Sequence, residues 1–186
     1  MSKICKYQLG DLVELCDDRN ISGCFTLDDV RGISTDKQFI DTKANMAGVN
    51  LDSYKIVNKN VFAYVPDTSR RGDKIAIAFN SEDKPILISS IYTTFCCKDT
   101  TIVCPEYLFM FFNRPEFDRY ARFNSWGSAR ETFSWEDFCD TPISLPDLEV
   151  QKHFASLYVA YSKCSFGVRA KELCPILIKG SLQTEL

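Results

Sequence analysis

The chain has 186 residues, 45% of them hydrophobic and 13% aromatic, enough to bury the core of one ordinary domain with an appendage. Its charged fraction is 25% and its net charge −3 at pH 7; no apolar run of membrane-spanning length occurs, and no basic-then-apolar leader opens the chain at Met1-Ser2-Lys3-Ile4-Cys5-Lys6, so the expectation is a soluble, untargeted, cytoplasmic protein with no membrane partner. Nine cysteines, an odd number without a secretory signal, read as reduced thiols; with no Cys-x-x-Cys and His153 as the single histidine, no metal site is expected.

In chain order, Leu9, Leu12, Val13 and Cys16 recur at helical spacing and predict a short amphipathic helix over residues 7 to 16, followed by a polar turn from Asp17 to Asn20. From about 24 to 103 the chain reads as short β-rich runs at 54–57, 61–65, 74–79 and 86–92. The stretches between them, such as Asn58-Lys59-Asn60 and Arg71-Gly72-Asp73, have good turn chemistry. Strands and helices do not alternate here, so the body is predicted to be sheet-rich without β-α-β units. Residues 105 to 123 turn helical, with Tyr107, Leu108, Phe111 and Phe112 on one face and a restart at Pro115 leading to Phe117, Tyr120 and Phe123; these aromatics read as core packing. After the Pro142-to-Pro146 segment, Val150, Phe154, Leu157, Tyr161, Cys164 and Val168 are spaced 4, 3, 4, 3, 4, a heptad seam that marks a helix packing along another helix, either a partner's or one of its own domain. Pro175 ends that helix, and Ile176-Leu177-Ile178 forms a short apolar tail. There is no internal repeat and no low-complexity segment.

Candidate chemistry is sparse. A cysteine nucleophile would need His153, which falls in the predicted helix beside Phe154. The eight glycines are scattered and form no phosphate-cradling loop, so a nucleotide cofactor has no evident seat. Acid pairs such as Asp17-Asp18, Asp28-Asp29 and Glu136-Asp137 suit turns and helix starts better than acid-base work. DNA reading needs Arg or Lys for phosphates and guanine, plus Asn, Gln, Ser and Tyr for base edges and backbone, and three segments supply such a mixture: residues 31–37 running to Lys43-Ala44-Asn45, residues 68–74, and Arg119 and Arg122 leading into residues 124–130. Each, read alone, is an ordinary solvated loop. The net negative charge opposes DNA binding, but residues 131 to 152 hold six acids and one base, a charge of −5, which leaves +2 for everything else.

The order of several stretches resembles the specificity subunits of type I restriction-modification systems across nearly the whole chain. Tyr7-Gln8-Leu9-Gly10-Asp11-Leu12-Val13-Glu14 is similar to that family's lead-in to a target-recognition domain; Val30 to Ser34, Tyr54 to Val57, Phe62-Ala63-Tyr64 and Ile88 to Phe95 are similar to its internal strands; Pro105 to Leu108, Gly127-Ser128-Ala129-Arg130 and Ile143 to Gln151 are similar to its helical region, its Gly-Ser-x-Arg-like loop and its Leu-Pro-to-Gln approach to the long spacer helix. The resemblance implies an α+β fold: an irregular β-rich, β-helix-like target-recognition domain at 1–145, followed by a spacer or dimerisation helix and short tail at 146–186. It implies a chain without catalytic residues or cofactors of its own, which reads double-stranded DNA and positions methyltransferase and restriction subunits, the S-adenosylmethionine, ATP and Mg belonging to those partners. Typical members carry two recognition domains and two spacer helices against one of each here. The expectation is therefore a homodimer that reads an interrupted palindrome, or a half that pairs with another specificity subunit. The candidate DNA contacts are Arg31, Lys37, Lys43, Arg70, Arg71, Lys74, Ser125, Ser128 and Arg130, and the candidate partner interface is the seam from Val150 to Val168. The alternative is an interaction or regulatory module that binds methyltransferase or another specificity subunit without reading DNA.

Overall fold

The computed structural model describes residues 4–164 apart from 43, 47, 70–73 and 129. Strand β1 (Cys5–Gln8) runs into a single helical turn, α1 (Leu9–Leu12), and out again as β2 (Val13–Leu15). The helix expected over 7 to 16 is thus only one turn long. Leu9, Leu12 and Val13 are buried as their spacing suggested, but backbone pairing with distant strands, absent from local sequence, pulls the chain straight on either side of that turn. Beyond a 3-10 turn at Leu27–Asp29 come β3 (Arg31–Ile33), β4 (Phe39–Asp41), β5 (Lys55–Val57), β6 (Val61–Tyr64), β7 (Ile77–Phe79), β8 (Ile86–Ile88) and β9 (Thr93–Cys97). The run expected at 86–92 ends early, because a turn with Tyr92 N–H donating to the Ser89 carbonyl separates β8 from β9.

Among the described residues four small sheets result. The largest has the order β2-β9-β6-β7, with Phe62 opposite both Phe95 and Phe79; β3-β4 and β5-β8 form two-stranded ribbons. The fourth joins β1 to β10 (Pro142–Leu145), pairing Cys5 with Leu145 and Gln8 with Pro142. Every pairing between named strands is antiparallel, and among the described residues only the isolated bridge Val30–Leu87 is parallel. The β-rich part is therefore a set of short antiparallel ribbons around one four-stranded sheet rather than the stacked parallel coils of a β-helix.

Helices α2 (Pro105–Phe112) and α3 (Pro115–Phe123) each begin on a proline, whose fixed φ and missing N–H suit a first helical position. The main core is largely aromatic. Phe62 stacks on Phe95 with centroids 4.9 Å apart, Tyr64 on Phe138 at 5.1 Å, and Phe112 and Phe117 close the same cluster from the helices. Phe138 comes from α4 (Trp135–Cys139), a helix capped by Ser134, whose Oγ accepts from Asp137 N–H at 3.0 Å.

Helix α5 (Leu148–Cys164) rises from the end of β10. Its inner face is Leu148, Gln151, Ala155 and Tyr158, with Phe154 at the edge. Gln151 is wholly buried: its Oε1 accepts from Cys104 N–H at 3.0 Å, and its Nε2 donates to the carbonyls of Ile102 at 3.0 Å and Pro146 at 2.8 Å. One side chain thereby satisfies three backbone groups at the junction of α2 and α5. The predicted seam faces elsewhere. At 100° per residue, Val150, Leu157 and Tyr161 centre about a third of a turn away from the buried face, and Leu157 is exposed. Cys164 ends the described helix; Val168 and the apolar tail at 176–178 lie outside the described residues.

Candidate nucleic-acid interface

The third loop segment begins where α3 stops. Asn124 Nδ2 donates to the Tyr120 carbonyl at 2.9 Å, which the Asn124 backbone N–H also reaches, and Ser125 Oγ to the Ala121 carbonyl at 2.6 Å, so both side chains fold back onto the last turn of the helix. Ser125 is accordingly buried, its hydroxyl hydrogen committed inside the fold. Trp126 and Thr132 then exchange backbone hydrogen bonds of 3.0 and 2.9 Å, pinching residues 127 to 131 into a closed loop. Gly127 makes the closure possible: its φ is +138°, and a Cβ there would stand 2.1 Å from the Arg130 carbonyl oxygen. Ser128 and Arg130 are exposed on this loop. Arg122, in the last turn of α3, pairs with Glu131 at the loop's far end, and Arg119 reaches Glu116 at 3.4 Å while staying largely in solvent.

The second segment joins this loop. Phe133 N–H donates to the Pro66 carbonyl and Thr68 N–H to the Glu131 carbonyl, both at 2.9 Å, with an antiparallel bridge between Asp67 and Thr132. This register carries Ser69 toward the Arg130 end of the loop, and Asp67 Oδ1 fixes the turn by accepting from Ser69 N–H at 3.0 Å and Ser69 Oγ at 2.6 Å. Lys74 is exposed; its neighbour Ile75 donates its N–H to Asp118 Oδ1 of α3 at 3.2 Å. Arg70 and Arg71, which follow Ser69, lie outside the described residues.

The first segment is built differently. Residues 31–41 form the β3–β4 hairpin, and its turn turns Lys37 inward at a φ of +61°. The Lys37 side chain is only 4% exposed; its Nζ pairs with Asp118 Oδ1 at 2.7 Å, donates to the Phe112 carbonyl, and lies 5.8 Å from the Phe117 ring centroid. Expected on the surface as a DNA contact, Lys37 is instead an internal tie between hairpin and helices: a counter-charge and a carbonyl at the α2–α3 junction balance the cost of burying it. Arg31 is half-buried, donating to the carbonyls of Asp28 at 2.7 Å and Val30 at 2.9 Å beside Asp41. Lys43 lies outside the described residues. Of the nine candidate contacts, Lys74, Ser128 and Arg130 are exposed on two segments that the fold brings together, whereas Arg31, Lys37 and Ser125 are engaged internally.

Burial disfavours the thiolate at four of the described cysteines. Burial, reinforced by the neighbouring Cys96, pushes the Cys16 thiol up to about 12; burial alone dominates at Cys97, also about 12, and raises Cys104 and Cys139. His153 is exposed on α5 with its ring against Phe154. Among the described residues no group of three or more His, Cys, Asp or Glu side chains is arranged to hold a metal ion, and no helix is long and apolar enough to cross a membrane.

Two residues were missed by sequence reasoning. Phe123, counted with the core aromatics, is 78% exposed, and Trp126 is 62% exposed. A helical wheel carries the signal for the first: Phe117 and Ala121 define the buried face of α3, and Phe123 falls well off it. Nothing local marks Trp126, whose exposure follows from the Gly127 loop.

No family model and no curated protein matches the sequence. Solved structures do. The chain superposes on the type I restriction-modification system S subunit from M. genitalium with a TM-score of 0.54 at 12% identity over 87% of its length, and on the HsdS subunit from Thermoanaerobacter tengcongensis with 0.57 at 18% over 86%. A third match, from a structure describing complex assembly and conformational transition of the type I R-M system, gives 0.50 at 11% over 96%. The chain spans about two fifths of the length of each, 40 to 42%. Over the portion matched, this chain has the mixed helix-and-sheet fold of the S subunits of type I restriction-modification systems.

Proposed function

We propose that this chain reads a double-stranded DNA sequence as a specificity module of a type I restriction-modification complex, and contributes no catalytic group of its own. The observation that carries the proposal is the likeness of nearly the whole chain to two S subunits. The convergence of residues 66–69 with 126–133 supports it, since it gathers exposed Ser128 and Arg130 beside the run that leads to Arg70, Arg71 and Lys74. A cluster of Arg and Lys with hydroxyls is what phosphate positioning and base-edge readout require. In this proposal methyltransferase and restriction subunits supply the chemistry, together with S-adenosylmethionine, ATP and magnesium, in the cytoplasm. The exposed side of α5 around Leu157 meets a helix of a second copy or of another specificity subunit, in the manner of a heptad seam.

The test is base-resolution mapping of DNA methylation in cells that co-express the chain with a type I methyltransferase subunit, against methyltransferase alone. A sequence motif methylated only when the chain is present is the expected result, and an interrupted palindrome would identify a pair of identical readers. Co-purification with methyltransferase without any new motif would favour the interaction-module reading, for which one observation speaks: Glu131 already occupies Arg122.

A further inference from the structure

We propose that Trp126 and Phe123 form an aromatic wedge that stacks on the bases of the bound duplex, entering a base-pair step between the phosphates held by the neighbouring cations. The inference rests on the DNA-reading proposal and extends it to a pair of side chains with no role so far. This protein has 14 phenylalanines and two tryptophans, and the other tryptophan, Trp135, is stacked on Phe138 at 5.3 Å in the main cluster. Among the described Phe and Trp residues, Phe123 and Trp126 are the exposed ones, at 78% and 62%. Single exposed apolar residues are ordinary, but two large aromatics three residues apart at one helix end require an account.

Charge identifies the occupant. Arg119, Arg122 and Arg130 belong to the same segment; Arg119, beside Glu116, keeps 70% of its side chain in solvent, Arg122 pairs with Glu131, and Arg130 is exposed. An apolar protein face laid over the aromatics would have to desolvate these guanidinium groups. A nucleic acid stacks its bases on the rings and offers phosphates to the cations, so neither demand opposes the other. The backbone is also ready. Phe123 is the last residue of α3, and the paired hydrogen bonds to Thr132 fix Trp126, so few degrees of freedom remain to be lost on binding. Apolar side chains inserted at a step unstack it and bend the duplex, a distortion that suits a protein presenting DNA to a partner enzyme.

The experiment uses the full chain assembled with its methyltransferase subunit and a fluorescently labelled duplex carrying the mapped motif. Trp126→Ala and Phe123→Ala are each expected to weaken binding roughly ten-fold, with the slope of log affinity against log salt unchanged, because no phosphate contact is removed. In a Trp135→Phe background, whose remaining tryptophan is Trp126, the duplex is expected to quench tryptophan emission. Wild-type affinity in both alanine variants together with unchanged emission would overturn the wedge while leaving DNA reading intact. Failure of the unaltered complex to prefer its mapped duplex over a scrambled one would overturn the DNA-reading proposal and the wedge with it. Loss of methyltransferase co-purification in Trp126→Ala would overturn the wedge in favour of a protein occupant.

Discussion

Lys37 shows what a single buried charge demands of its surroundings. Its ammonium is shared between Asp118 and the Phe112 carbonyl, and Asp118 also accepts from Ile75, so one carboxylate joins the β3–β4 hairpin, α3 and the strand leading to β7. Removing one partner of such a pair leaves the other charge buried. Lys37→Ala is therefore expected to cost about 3–5 kcal/mol in urea unfolding, against well under 1 kcal/mol for Lys59→Ala, whose partner Asp83 is in solvent. Thiol chemistry gives a second check at this scale. Thiolate, not thiol, attacks alkylating reagents, and thiolate forms only as pH approaches the pKa from below. At about pH 8, exposed Cys24 is expected to label within the first minutes, while Cys16 and Cys97, raised to about 12, stay unmodified until the protein is denatured.

Among the elements, α5 depends on Gln151. Its amide satisfies Cys104 N–H and the carbonyls of Ile102 and Pro146 in a site closed to water, so a leucine of similar size would leave three backbone groups unpaired. Gln151→Leu is expected to destabilise the domain by about 2–3 kcal/mol. Amide hydrogen exchange should quicken at Cys104 and through the first three turns of α5, while Ala63, central in the β2-β9-β6-β7 sheet, keeps its protection. Equal acceleration at Ala63 would mean that α5 is not a separately tethered element. The same attachment sets the direction in which the Leu157 side of the helix points, so a local change at residue 151 would be felt at any surface docked further along.

Over the whole molecule, a net charge of −3 stands against the polyanionic ligand proposed for it. The acids of residues 131–152 and the exposed cations Lys74, Arg119 and Arg130 lie on different stretches of the chain, although Glu131 and Arg122 pair where two of those stretches meet. DNA affinity of the complex is expected to fall linearly with log salt, and Lys74→Ala and Arg130→Ala should each reduce that slope by about one, the signature of one phosphate contact apiece. The sequence by itself determined what depends on near neighbours. The proline-started helices over 105–123, the β runs at 55–57 and 61–64, the helical course of 148–164 and the aromatic core at Phe112 and Phe117 all follow from local spacing and turn chemistry. It left open what depends on distant partners. Pro142-Ile143-Ser144-Leu145 is too short a run to declare itself and becomes β10 only because β1 lies beside it. The residues from 7 to 16 had helical spacing but were drawn into two strands by β10 and β9. The fate of each basic residue was likewise tertiary. Lys37 and Lys74 look alike in sequence, yet one is enclosed by α2 and α3 and the other reaches solvent, because only the folded chain brings Asp118 and the Phe112 carbonyl to the hairpin tip and leaves Lys74, Arg130 and Trp126 outside.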